Sequence, residues 1–354
     1  MKREERKGKI QTVLGLIEPG DLGITLPHEH LMSDGSGWFV EPADAFEKEM
    51  AHRPVSVDIL WWLTYHRFTN LDDLTFMDEQ EAIDEIMHFK LAGGNSVVEM
   101  SNVGLGRSPA ALARISRATG LNIIMGSGYY IDSSLPPDMD DKSEEQITEE
   151  IVRDIDEGVG PKGICAGLIG EIGLSWPMTT NERKSLRAAA RAQRLTGANL
   201  NIHPGQGEDS AMEAVRTVDE VGGDLTKTTM DHIDRAVRER DNRIALAKTG
   251  ITLEYDLFGR EGYYPMEHRK IDLPNDHVRI NEIMDLMDLG YIRQIIISQD
   301  IWNKTQRRKY GGWGYAHILD NAVPVMRAKG MTNEDIRTIM VDNPARLFAF
   351  DQAG

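Results

Sequence analysis

The chain has 354 residues, a formal net charge of −17, 40% hydrophobic and 27% charged residues. This is the composition of an ordinary globular protein, and its overall field repels nucleic acid and anionic lipid. No apolar run is long enough to span a bilayer, and the single cysteine, Cys165, excludes an intrachain disulfide framework.

The N-terminal stretch MKREERKGKI is charged and is followed by no apolar signal-peptide core, so the cytoplasm is the expected compartment. The next segment, KIQTVLGLIEPGDLG, reads as a β-hairpin with a Pro-Gly turn that caps one end of the fold. The first strand is ITLPHEHL. Residues 40–92 then form an unusually long crossover, whose WWLTY cluster at 61–65 is expected to be buried packing. From there one pattern repeats: an amphipathic stretch, a glycine, then a short β-branched run that ends in polar residues. The runs are NSVVEMSN, NIIMGSGYY, AGLIGEIGL, NLNIHPG, TTMDHID, ITLEYDLFG and QIIISQDI. Glycine accepts the left-handed conformation that ends a helix, so these glycines read as helix stops before strands.

The intervening segments carry helix signals. Residues 143–157 begin with acidic side chains and place Ile147, Ile151 and Ile155 four residues apart. Thr180 or Asn181 is the expected cap of SLRAAARAQRL, and Asn275 that of HVRINEIMDLMDL. Strands alternating with helices imply parallel βαβ units. About eight such units close most naturally as an α/β (β/α)8 TIM barrel in a single domain over residues 1–354, capped by the N-terminal hairpin, with a doubly wound open sheet as the competing arrangement.

Chemistry gathers where the apolar runs end. His28, His30, His203, His232, Glu171 and Asp300 all stand at carboxyl ends of expected strands, the working face of such a barrel. His28 and His30 are separated by one residue, so on an extended strand both point the same way and can grip one ion. An H-x-H alone is a weak signal, and His203 or His232 alone would more readily be a hydrogen-bonded core residue. Together with two carboxylates they offer too many ligands for one tetrahedral ion. They suit two divalent metals sharing a bridging carboxylate and hydroxide: zinc first, with manganese, cobalt, iron or nickel admitted by the same donors. The other six histidines, His52, His66, His88, His268, His277 and His317, lie on expected helices or long loops and suit solvated or packing roles.

These residues carry a resemblance. PHEHL at 27–31, AGLIGEIG at 166–173, HP at 203–204, DHID at 231–234, SQD at 298–300, KYGGWGYAHIL at 309–319 and NPARLF at 343–348 make the chain similar to the phosphotriesterase family of the amidohydrolase superfamily, and within it to the phosphotriesterase-related or homology-protein branch. The resemblance implies that His28, His30 and Asp300 hold a buried metal, that His203 and His232 hold a more exposed one, and that a carboxylate bridges them. Phosphotriesterases proper place a carboxylated lysine in the fourth strand. Here that register is Gly170, with Glu171 one residue on, and a one-residue slip turns a side chain to the other face. Glu171 therefore bridges only if the strand is bulged or shifted.

The expected reaction is attack of the bridging hydroxide on a small lactone or carboxylic ester, with Asp300 as catalytic proton shuttle. His232 with Asp234 is an alternative proton relay, unless Asp234 caps the helix that begins there. Amide hydrolysis of a small N-acylated amino acid or sulfonate is the alternative reaction. Organophosphate triester hydrolysis follows, and a non-catalytic ligand-binding barrel comes last. Specificity is expected from the loops after strands seven and eight. Arg260, Tyr264 and His268, with Tyr129 and Tyr130 after strand three, are the candidate substrate contacts. A small-molecule substrate, no nucleic acid, no membrane and a homodimer complete the expectations.

Overall fold

A computed structural model describes residues 3–263 and 272–351. Eight parallel strands form its centre: β1 (Thr25–Glu29), β2 (Ser96–Glu99), β3 (Asn122–Met125), β4 (Ile169–Gly173), β5 (Leu200–His203), β6 (Thr228–Met230), β7 (Thr252–Tyr255) and β8 (Ile295–Ile297). The strands form one run of three, β1 to β3, and one of five, β4 to β8. Hydrogen bonds close both seams. Gly167 and Gly170 donate to Met125 and Ser127 across β3 and β4 at 2.9 and 2.7 Å, and Ser298 Oγ meets the His28 carbonyl across β8 and β1 at 2.8 Å. Every strand is therefore paired on both sides, and the sheet is the TIM barrel expected from the sequence.

The helices pack outside it. Prominent among them are α1 (Glu79–Leu91), α2 (Pro109–Thr119), α3 (Glu144–Asp156), α4 (Thr180–Thr196), α5 (Ser210–Glu220), α6 (Arg240–Ala247) and α7 (Asp276–Asp288). In α3, Ile147, Ile151 and Ile155 are buried on one face as their spacing predicts, and Ser143 caps the helix in a box with Gln146. Asn275 caps α7. The cap of α4 is Thr179, one residue before the expected positions, because its hydroxyl reaches the Glu182 amide while Glu182 reaches back to the Thr179 amide. Gly197 follows α4 at φ 74°, the left-handed stop anticipated for it. No helix among the described residues is long and apolar enough to cross a membrane.

The N-terminal hairpin is present, pairing Ile10–Thr12 with Gly15–Ile17. Its turn falls at Val13–Leu14 rather than at Pro19–Gly20: the Thr12 hydroxyl donates to the Gly15 carbonyl at 2.8 Å and accepts from the Leu14 amide at 3.2 Å. Pro19 instead opens a short 3₁₀ turn. The long first crossover runs over the mouth of the barrel in short turns. Within WWLTY, Trp62 and Leu63 are buried, whereas Trp61 and Tyr65 are exposed, because one helical turn has only one face to bury.

Candidate metal centre

All six ligand candidates are buried and converge at the carboxyl end of the barrel. Glu171 lies at their centre. Its Oε1 is 3.4 Å from His30 Nε2, while its Oε2 is 2.9 Å from His203 Nδ1, 3.7 Å from His232 Nε2 and 3.8 Å from His28 Nε2. Asp300 Oδ1 faces His30 Nε2 at 3.3 Å and His28 Nε2 at 3.7 Å. One carboxylate thus looks with its two oxygens toward both histidine groups, and the second closes the His28–His30 side.

The strand bends to make this happen. In the pairing of β4 with β5, Ile169 opposes Leu200 and Ile172 opposes Ile202, so Gly170 and Glu171 together face Asn201 alone. That extra residue is a β-bulge, and it carries Glu171 to the interior face that a regular strand would deny it. Position 170 must be glycine: its φ is 135°, and a Cβ there would stand 2.6 Å from the Asn201 carbonyl oxygen. The Gly170–Glu171 peptide is cis.

Two other ligands sit in unusual backbone. His232 (φ 53°) and Asp300 (φ 47°) are the non-glycine residues with positive φ among the described residues. Each is clamped by a buried carboxylate. Asp256 accepts from the His232 amide at 3.0 Å and from its Nδ1 at 2.7 Å. Glu29, the middle residue of H-E-H, accepts from the amides of Gln299 and Ile301 at 3.0 Å each, on either side of Asp300. Holding a residue in left-handed backbone costs on the order of 1–3 kcal/mol, and these buried charge-assisted bonds offset it.

Electrostatics divide the cluster. Burial pushes the Glu171 carboxyl up to about 8, opposed by His28 and reinforced by Asp300. Burial, then the nearby Arg235 guanidinium, hold His203 and His232 far below the usual imidazole range. Neutral imidazoles are the form that binds metals. Burial acts to raise the Asp300 carboxyl, but the bond to His30 and the charge of His28 win and hold it below the usual range. His28 has no hydrogen-bond partner on either ring nitrogen among the described residues. A buried imidazole left in this state, facing carboxylates at 3.7–3.8 Å, fits a cation between them better than direct bonding. Groups able to hold a metal include His28–His30–Asp300 and His28–Glu171–Asp231–His232.

Known proteins decide the family. The model of the phosphotriesterase family matches residues 8–348. The chain belongs to that family. A phosphotriesterase-related protein of Nematostella vectensis is 40% identical over 97% of this chain and 99% of its own length. An N-acetyltaurine hydrolase of Bos taurus is 40% identical over 97% of this chain and 98% of its own length. Among solved structures, a resiniferatoxin-binding protein from Rhodobacter sphaeroides superposes with a TM-score of 0.93 at 37% identity, covering 96% of this chain and 95% of that one.

Within this phosphotriesterase-family barrel, a narrow cavity of about 30 Å³ lies over the ligands, lined by His30, Tyr130, Trp38, Phe68, Leu105 and Trp302 among others. Tyr130 reaches the centre, its hydroxyl 3.2 Å from His203 Nδ1. Tyr129 does not: its hydroxyl bonds Glu150 and accepts from Lys142 at 2.9 Å, because successive residues leave β3 toward opposite sides. Arg260 is buried and lies over the Trp302 ring at 4.8 Å, and its charge helps lower the Asp300 carboxyl. Tyr264 and His268 lie outside the described residues. The residue that precedes the short helix Ile233–Ala236 is His232, and Asp234 lies in its first turn. Asp234 pairs with Arg279 at 2.6 Å and accepts from the Leu257 amide. His317 pairs with Asp276 at 2.7 Å.

Sequence reasoning missed the wall of this cavity. Trp38 stacks on Phe68 and Phe68 on Trp302, both at 5.4 Å, with the Arg260 guanidinium over the Trp302 ring. Two of these rings, Trp38 and Phe68, lie in the connection between β1 and β2, whose aromatic WWLTY cluster was expected only as buried packing.

Proposed function

We propose that the chain hydrolyses a small N-acylated amino acid or amino sulfonate at a two-metal centre held by His28, His30, Glu171, His203, His232 and Asp300. The observation that carries the hydrolytic reading is Glu171, whose carboxylate stands between the two histidine groups, with Oε1 toward His30 and Oε2 toward His203, His232 and His28. Zinc is the first choice of ion, and the same imidazole and carboxylate donors accept manganese, cobalt, iron or nickel. When bound, such a pair supplies Lewis-acid polarisation of a scissile carbonyl and a nucleophile at neutral pH.

The protein's own groups do the rest. Asp300, held ionised beside His30, accepts the proton of the attacking water and delivers it to the departing nitrogen. Amide cleavage requires that delivery, because an amine leaves only as the protonated species. The Tyr130 hydroxyl, beside His203, donates to the oxygen that gains charge as the carbonyl becomes tetrahedral. The three-ring wall narrows the site beside the ligands and so favours a short acyl group. Arg260, over the Trp302 ring of that wall, is the group proposed to attract the substrate's anionic end.

The lactone or ester favoured by the sequence uses the same site chemistry. What tips the order toward the amide is the set of relatives named N-acetyltaurine hydrolase, the Bos taurus protein being 40% identical over 97% of this chain. The test is a panel assay of zinc-loaded protein on N-acetyltaurine, N-acetyl amino acids, small lactones and an aryl phosphotriester. An N-acetyl substrate should give at least tenfold the kcat/KM of any lactone or phosphotriester, with a steep fall from acetyl to butyryl. Lactone turnover with no amide turnover would overturn the amide assignment, and no turnover on any class would overturn hydrolysis itself.

A further inference from the structure

We propose that the barrel interior holds a further divalent cation, distinct from the pair over Glu171, in a four-ligand cage made by His28 Nδ1, Asp231, Glu254 and Asp256. The cage lies on the far side of the His28 ring from Glu171 and Asp300. His28 Nδ1 stands 3.6 Å from Asp231 Oδ2, 3.7 Å from Glu254 Oε2 and 3.5 Å from Asp256 Oδ2. All four side chains are completely buried, and their ligand atoms lie within 4.8 Å of one another.

The spacing decides between a hydrogen bond and an ion. An Nδ1–H donating to one carboxylate would draw that oxygen to about 2.7–2.9 Å and leave the others farther away. Three nearly equal separations beyond that range leave the nitrogen without a partner, as it is among the described residues. A tetrahedral ion bound at about 2.0–2.2 Å spaces its ligands about 3.3–3.6 Å apart. The cage edges from Nδ1, at 3.5–3.7 Å, lie at the upper end of that figure or just above it. The edges from His30 Nε2 to Glu171 and Asp300, at 3.4 and 3.3 Å, in the site the family uses, lie within it.

Charge gives a second reason. Both oxygens of Asp231 and Oε1 of Glu254 lack a hydrogen-bond partner among the described residues. No lysine or arginine there pairs with Asp231, Glu254 or Asp256, whose ion-pair neighbours are His28 and His232. Burying three such carboxylates with no lysine or arginine paired to them and one imidazole between them is expensive, and a bound dication removes the cost. Asp231 follows β6, Glu254 and Asp256 stand two apart at the end of β7 and so share a face, and the His28 ring enters from β1. On binding, Nδ1 releases its proton to solvent, and the ring joins the interior ion through Nδ1 while Nε2 serves the pair above.

The test is metal stoichiometry combined with zinc-edge anomalous diffraction on the full chain, dialysed against zinc and then freed of excess. Wild type should hold three zinc ions per chain, with an anomalous peak within bonding distance of His28 Nδ1. Asp231→Asn and Glu254→Gln should each hold two and lose that peak alone. An anomalous map of wild type with peaks beside Glu171 and none beside Nδ1 would overturn the cage, whether or not either variant folds. Retention of all three ions in both variants would do the same.

Discussion

The two ends of the barrel handle buried polar groups in opposite ways. At the amino end of the strands buried cations and amides donate to backbone carbonyls. Lys227, just before β6, donates to the carbonyls of Arg346, Leu347 and Ala349 at 2.9, 3.0 and 2.5 Å. Asn343 donates to Ile292 and Ile295 at 2.8 and 2.7 Å, and Arg6 to Ile155 at 2.8 Å. At the carboxyl end, His28 and Asp231 are equally buried but lack hydrogen-bond partners among the described residues. One end is finished by the protein itself, while the other is arranged for something the polypeptide does not contain. Polar burial at the first end stabilises the fold, and at the second it costs stability until a ligand arrives.

The sharpest way to break this contrast is to disable the mouth without touching the fold. Asp300→Asn should lower kcat about a thousandfold, within the usual range for losing a positioned acid–base group. The unfolding midpoint should move little, because asparagine tolerates left-handed backbone such as φ 47° and the Glu29 clamp grips only the neighbouring amides. Steady-state kinetics beside a thermal melt separates the two; a collapse of both would make Asp300 a structural residue. Glu171→Ala comes next and should lower bound metal over the cavity by one ion per chain, measured by elemental analysis. Unchanged stoichiometry would sink the bridging assignment.

The same contrast explains what could be read from the sequence. Strand ends were legible because β-branched runs after glycine stops have a fixed grammar, and the six ligand candidates stand there. The Glu171 bulge was legible as a requirement, since a regular strand would have turned the side chain away, but its location in the pairing of β4 with β5 appears only in three dimensions. The left-handed backbone of His232 and Asp300 was hidden, because positive φ is rare outside glycine and even the enriched types, histidine and aspartate among them, mostly stand in ordinary backbone. Its clamps, Asp256 and Glu29, were also hidden: an acid beside a metal histidine in sequence suggests a ligand, yet Glu29 turns from the metal site to grip β8. Trp38 and Phe68 belong to a crossover without periodicity, so nothing local told that they would stack across the mouth.

At the amino end the expected effect is on stability alone. Lys227→Met keeps most of the aliphatic stem but leaves three carbonyls without their shared donor, one of them belonging to fully buried Leu347. Buried unsatisfied carbonyls cost about 1–3 kcal/mol each and do not add fully, so roughly 3 kcal/mol should be lost in denaturant unfolding. Turnover at a temperature where the variant is folded should match wild type. A loss of kcat at full folding would show that the two ends are coupled.

Glu99 at the end of β2 tests the boundary between the two regimes. It is buried, and one oxygen accepts from the Leu31 amide at 3.3 Å while the other has no hydrogen-bond partner among the described residues. Burial pushes its carboxyl to about 8, against the lowering effect of bonds from Ser101, Leu31 and Met32. The folded protein therefore binds a proton that the unfolded chain releases near 4.5, so this group's contribution is full below that value and declines as pH rises to about 8. Metal-free wild type should lose stability across that window, and Glu99→Gln, which cannot ionise, should remove part of the slope, on the order of 4 kcal/mol at pH 8. Denaturant unfolding of both chelated proteins at pH 5 and pH 8 measures the difference of slopes. Equal slopes would mean that Glu99 is already ionised in the fold across that window.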